Sequence, residues 1–237
     1  GLVTTSGSGR IRLSESDNFG KSTIGFSTEY RDYASGCLSF TPPTEEISSS
    51  VYGYNELEFG DIKVNSSLRY DNRTVSPKAD ISELRFSGIS AGIKGSKPLS
   101  SCLDFNISFG KSFRAPALEE LFSEGPHLAA YSYEVGNPDL KAENGIGIDA
   151  GLEFKNRNGN ASISVFRNDY SNYIHSTNTG ELEVGPGELG YLPLYQFKSQ
   201  EALLTGVELN TTAYISDNFE IDGNCSYVKG DLQDSPL

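Results

Sequence analysis

Apolar and polar residues alternate with a period of two along most of the chain. That spacing belongs to β-strands whose two faces meet different surroundings. Ile62, Val64, Leu68 and Tyr70 oppose Lys63, Asn65, Ser67 and Arg69, and Leu103, Phe105, Ile107 and Phe109 oppose Asp104, Asn106, Ser108 and Gly110. Ile146, Ile148, Ala150, Leu152 and Phe154 resume the same phase, as do Val207, Leu209, Ala213 and Ile215 and, last, Phe219, Ile221, Cys225 and Tyr227. With a short strand around 10–16, one through Ile24, Phe26, Thr28 and Tyr30, and one through Ile89, Ala91 and Ile93, the pattern predicts ten strands. Two are blurred. Tyr52 and Tyr54 obscure the faces of the third, about 50–59, and the eighth, begun by Ala161, Ile163 and Val165, loses its phase near Phe166.

Short connections (17–20, 60–61, 97–98, 156–160, 216–218) alternate strictly with long ones (33–49, 71–83, 114–143, 169–201). An antiparallel up-and-down transmembrane barrel predicts that alternation, with tight turns at one end and long loops at the other. A Greek-key sandwich gives no reason for it. The polar face is rich in Ser, Gly, Asn and Thr, and Tyr30, Tyr70, Phe113, Phe154 and Tyr227 sit at strand ends where interfacial girdles form. The expected fold is therefore all-β, an incomplete barrel segment of about ten strands. A soluble β-sandwich binding module is the alternative by pattern. No apolar run approaches the roughly 18 residues of a membrane-crossing helix, which leaves a barrel open.

The longest break lies between the sixth and seventh strands, where Pro116, Pro126 and Pro138 deny the segment a continuous strand or helix. Long ordered excursions of this kind commonly carry recognition. Its motifs, S-F-R-A-P-A-L-E-E-L-F, G-P-H-L and Y-E-V-G-N-P-D-L-K-A-E, resemble the late barrel of TonB-dependent outer-membrane receptors. The likeness continues through 165–170, 204–209 and 225–230, and upstream in Leu68-Arg69-Tyr70-Asp71, so the middle and later barrel covers the whole chain, 1–237. It implies a plugged barrel of about 22 strands in the bacterial outer membrane, surrounded by lipid and lipopolysaccharide. It also implies uptake of an iron chelate, haem or metal ion, driven by the inner-membrane TonB complex through an N-terminal plug. The iron- and zinc-uptake branch is the nearest in flavour. The plug and the closing strand are missing from these residues, and both ends look cut, with Gly1 in place of an initiator Met.

Composition narrows the partners. A net charge of −13 and a pI near 4.6 argue against nucleic acid. All four long connections are net acidic and together hold most of that charge, so the rim should favour cationic or neutral ligands. Cys37, Cys102 and Cys225 are too scattered for a metal cluster or a disulfide framework. No Ser/His/Asp set, phosphate loop or close carboxylate pair points to catalysis or to a resident cofactor. An outer-membrane barrel enzyme is the second functional alternative, and it would need a constellation at the rim.

Candidate ligand-facing residues lie in the long connections. Arg114 keeps the phase of Asp104, Asn106 and Ser108, and is expected to pair with Glu119 or Glu120 at the loop base. His127 and His175 are the chain's two histidines, with Glu124 three residues from His127, and histidine is a common transition-metal ligand. Tyr131, Tyr133 and Glu134 complete the set, and Asn137-Pro138-Asp139 reads as a turn restarting the next strand.

Overall fold

A computed structural model describes residues 2–16, 20–35, 41–187, 190–216 and 218–233. Cys37, Glu188 and the turn at 17–19 lie outside the described residues. Six strands come first: β1 (Leu2–Ser16), β2 (Gly20–Ser35), β3 (Thr44–Phe59), β4 (Ile62–Pro77), β5 (Leu84–Ser100) and β6 (Leu103–Arg114). A short helix α1 (Leu118–Phe122) and the short strands β7 (Glu124–His127) and β8 (Ser132–Val135) follow. Then come β9 (Glu143–Asn156), β10 (Gly159–Val184), β11 (Tyr191–Ser216) and β12 (Phe219–Gln233).

All of them join one sheet, in the order β1-β2-β3-β4-β5-β6-β9-β10-β11-β8-β7, with β12 also on β11. Consecutive long strands pair antiparallel, as an up-and-down meander requires. No second sheet packs on this one among the described residues, so the β-sandwich alternative does not hold. The sheet is open: β1 and β12 are not paired with each other.

The apolar face is the exposed one. Ile24, Val51, Leu68, Ile93, Phe109, Ile146, Ile148 and Val207 all stand free of protein contact on one side, with Phe109 and Ile146 each 52% exposed. A soluble sheet would bury that face, whereas a bilayer covers it with acyl chains. The opposite face is knitted by short polar links, including Ser27–Ser50 at 2.6 Å, Ser96 to Asn106 at 2.6 Å, and Ser108 to Asp149.

The strands run further than their alternation shows. Fifteen residues of β1 pair with β2, from Leu2↔Ser35 to Ser16↔Lys21, where a short strand near 10–16 is expected. Three of the four long connections shrink likewise, because β2, β3, β4, β10 and β11 continue into them. The period-two signal reports contact with an apolar surround, and it fades where that surround ends. The backbone ladder has no such limit.

Aromatic side chains explain the blurred phases. On the polar face, Tyr52 lies over Gly25, where an added Cβ would come within 2.2 Å of its ring, and Phe166 covers Gly206 at 2.5 Å. Phe113 likewise covers Gly88, at 2.1 Å, so it leaves the girdle assigned to it from the sequence. Each ring fills the gap of a side-chain-free position on the neighbouring strand.

Candidate functional site

The rim site is assembled around α1. Pro116 stops β6 from continuing, and the Glu120 carboxylate accepts from the Ala117 amide at 2.7 Å, one half of a capping box, since Ala117 has no side-chain acceptor. Leu118, Leu121 and Phe122 then turn into a small core with Val75, Leu140 and Ile174. The Y-E-V-G-N-P-D-L run packs against the helix backbone: Gly136 donates to Ser123 O at 2.7 Å and Asn137 to Glu120 O at 2.8 Å. A Cβ on Gly136 would meet the Leu121 carbonyl carbon and the Phe122 nitrogen at 2.6 Å, so this close approach requires glycine. Asn137 closes its turn as expected, its side-chain oxygen accepting from Asp139 N–H at 2.9 Å.

Two sets of charges hold this seat. Arg114 donates to Glu120 at 2.9 and 3.1 Å and to Glu143 at 2.9 Å. Of its two expected partners it takes Glu120. Glu119 instead lines the adjoining cavity, its backbone oxygen accepting from Ser123. Glu143 also accepts from Ile174 N–H at 3.1 Å, which ties the loop base to β10. In the second set Arg73 reaches Glu46 and donates to the Pro116 carbonyl at 2.6 Å, and Arg31 donates to Glu46 at 3.2 Å and to Glu29 at 3.3 Å. The Glu46 side chain is only 5% exposed, and two guanidinium groups offset the cost of burying it. Arg31, Glu46, Arg73, Arg114, Leu118 and Glu119 line a cavity of about 660 Å³ on the polar face.

Arg31, Glu46, Arg73 and Glu143 are absent from the sequence-based candidates. Parity is the signal for two of them: Arg31 continues Ser27 and Glu29, and Arg73 continues Arg69 and Asp71, past the points where the apolar alternation fades.

The histidines stand elsewhere. The β7–β8 hairpin pairs His127 with Ser132 and brings Glu134, rather than Glu124, to His127 Nδ1 at 2.8 Å. Glu134 also accepts from Ser132 at 3.1 Å. Tyr131 occupies the hairpin tip in the left-handed region at φ 52° and is exposed, and Tyr133 registers with Leu194 where β8 joins β11 in parallel. His175, on β10, meets Gln200 at 2.8 Å and Thr177 at 3.2 Å, and its ring stacks with Tyr173, itself 5.5 Å from Tyr170. The candidates thus form a charged group beside α1 and an aromatic and imidazole group on the projecting hairpins. Among the described residues, no three His, Cys, Asp or Glu side chains converge as a metal site.

Farther out, the hydrogen bonds that the Lys78 ammonium donates to Asp32 and then to Glu45 hold it above its usual range. Bonds from Arg85 and Ser76 hold the Glu83 carboxyl below its own.

The profile of the family described as TonB dependent receptor-like, beta-barrel, matches residues 3–236. The ferrienterobactin receptor of Escherichia coli (strain K12) is 29% identical over 197 residues, covering 76% of this chain and 24% of that protein. Hemoglobin and hemoglobin-haptoglobin-binding protein C of Haemophilus influenzae is 25% identical over 142 residues, covering 57% of this chain and 13% of its own length. Among solved structures, the copper transporter OprC superposes with a TM-score of 0.75 at 16% identity, over 97% of this chain and 38% of the other. The Serratia marcescens hemophore receptor HasR, as a double mutant with its hemophore HasA and heme, gives 0.68 at 16% identity, over 96% and 42%. At such identities the superpositions speak for the fold. The chain spans about a quarter or less of these curated relatives.

Proposed function

The chain belongs to the TonB-dependent receptor β-barrel family, and from that premise we propose that residues 1–237 form the middle and later wall of an outer-membrane receptor-transporter. Its cargo is a scarce nutrient, an iron chelate, haem or a metal ion, and its energy comes from the TonB complex through an N-terminal plug. We assign it no catalytic step, in keeping with relatives named as receptors and transporters.

The observation that carries this reading is the contrast between the two faces. An exposed apolar face suits lipid, and the polar face leads up to a charged cavity beside α1. Arg114, Glu119 and Glu120 sit at the mouth of that wall. His127, Tyr131, Tyr133, Glu134 and His175 stand above it as the ligand-facing set. Lipid and lipopolysaccharide would surround the apolar band.

The test is growth of a receptor-deficient strain that carries the full-length protein, with one iron source supplied at a time. A ferric chelate or haem should restore growth only when TonB is present. Joint substitution of Tyr133 and His175 by Ala should raise the ligand concentration needed. Rescue that is independent of TonB, or rescue by none of the sources, would overturn the reading. Neutralising Glu181 and Glu183 should favour anionic chelates at low salt, as a cleft of one sign focuses its field.

A further inference from the structure

The cavity beside α1 holds one charge that the fold leaves unanswered. Arg31 and Arg73 share Glu46, Arg31 also takes Glu29, and Arg114 is engaged with Glu120 and Glu143. Glu119, in the first turn of α1, is the exception. Among the described residues its carboxylate takes no hydrogen bond and no ion pair, and only its backbone oxygen is used, by Ser123. Its charge reaches Tyr33, which lines the same cavity: burial first, and then the Glu119 carboxylate, raise the Tyr33 hydroxyl above its usual range. The arginines are offset but not exhausted. A guanidinium has five N–H donors, and the Arg31 and Arg114 side chains remain 44% and 43% exposed, open to a guest.

This lining discriminates among cargo chemistries. A bare metal ion finds no converging set of His, Cys, Asp or Glu among the described residues. Haem, through its propionates, and a ferric tris-catecholate both bring negative charge towards Glu119, while the guanidinium charges are already committed to carboxylates of the wall; like charges brought together oppose binding. A ferric tris-hydroxamate has an uncharged metal centre, and its oxygens can accept from the spare guanidinium N–H groups and from Ser48. Where such a chelate ends in a primary amine, it adds the one cation that Glu119 lacks, with charge-assisted hydrogen bonds to the carboxylate. The cavity volume of about 660 Å³ lies within the ~300–1,000 Å³ of sites for drug-sized ligands.

We propose that this cavity is the subsite for a ferric hydroxamate chelate whose pendant ammonium is held by Glu119. The inference rests on the uptake reading above. Its test is the binding of radioiron-loaded ferrioxamine B, which ends in an ammonium, and of its N-acetyl form, which does not. Both are titrated against the purified full-length receptor at physiological salt, where charges more than about 8 Å apart are largely screened. The ammonium form should bind about fivefold tighter, on the scale of a partly exposed charge pair. Glu119→Gln should erase that gap and leave the affinity for the N-acetyl form unchanged, which also reports an intact fold. Glu83→Gln, at another acidic point of the rim, should leave the gap in place, which separates a contact from a general field. Equal affinities in the unaltered receptor, a gap that survives Glu119→Gln or vanishes in Glu83→Gln, or tighter binding of a ferric tris-catecholate would overturn the assignment. So would binding of neither hydroxamate while another iron source still restores TonB-dependent growth. If no iron source restores growth, the uptake reading falls and the inference with it.

Discussion

Arginine placed along β11 should report the depth of the membrane. On β9 the outward apolar residues run from Ile146 to Phe154. Eight residue steps of about 3.4 Å make about 27 Å along the strand, or about 20 Å of height at a tilt near 40°. The middle of that band is Ala150, which registers with Val165, then Val207, then Tyr227. Val207→Arg should therefore destabilise the full-length receptor by about 2–4 kcal/mol, and Ile215→Arg, near the strand end, by about 0–1 kcal/mol. Leu209→Arg and Ile148→Arg should fall between them. Val207 is 40% exposed, so arginine has room there and the cost is transfer into lipid rather than a clash. Asn210→Arg, on the opposite face, should change stability by less than about 0.5 kcal/mol. Gly147 is a poorer control, because a Cβ there would come within 2.3 Å of the Asn168 side-chain oxygen. Denaturant titrations of reversible refolding in lipid vesicles measure all of these. Equal costs at Val207 and Asn210, or a cost that does not fall toward Ile215, would refute the assignment of faces.

Further outcomes follow from the same geometry. This chain expressed without the rest of its barrel leaves β1 and β12 as open edges, and unsatisfied backbone groups cost several kcal/mol each in lipid. It should aggregate rather than give a heat-modifiable, protease-resistant monomer, as electrophoresis with and without heating will tell. Gly136→Ala should push the 136–142 turn off α1 and expose 115–142 to limited proteolysis, with the barrel band unchanged; an unaltered cleavage pattern would contradict the close packing. Lys78 has a raised pKa, so its ion pairs with Asp32 and Glu45 persist below the ordinary lysine value and are lost only as pH rises through the higher one. Glu83, with a lowered pKa, contributes above the ordinary glutamate value and is lost as pH falls through the lower one. Hydrogen exchange at the Lys78 amide, bonded to Pro43 O at 2.7 Å, should then be insensitive to rim titration between pH 6 and 9, apart from the intrinsic exchange rate, and should accelerate in Lys78→Gln.

How much of this was legible beforehand depended on what each signal measures. The strand phases, the two faces and the antiparallel order were readable because lipid and lumen impose opposite chemistry on alternate residues. Strand lengths were not, since β1 and the upper parts of β2, β4, β10 and β11 lie where that contrast fades. The polar lattice is hidden for the same reason: Arg31 follows the last alternating residue of its strand, Tyr30, and Arg73 lies inside the 71–83 connection. The Asn137 turn was readable from local backbone preference. The partner of His127 was not, because Glu134 reaches it only through a hairpin whose sequence carries no strong turn signal.

The Arg73 contact with Pro116 has a bearing on how such a receptor changes over generations. Arg73 grips a main-chain carbonyl, and α1 takes its neighbour through the Gly136 and Asn137 amides. Backbone atoms are common to every residue type, so these fastenings do not read most of the side chains they secure. Between them the hairpin tip at 128–131 can be rewritten, residue by residue, without loosening its mount. A lineage thus has room to alter the exposed tip while keeping the wall that carries it.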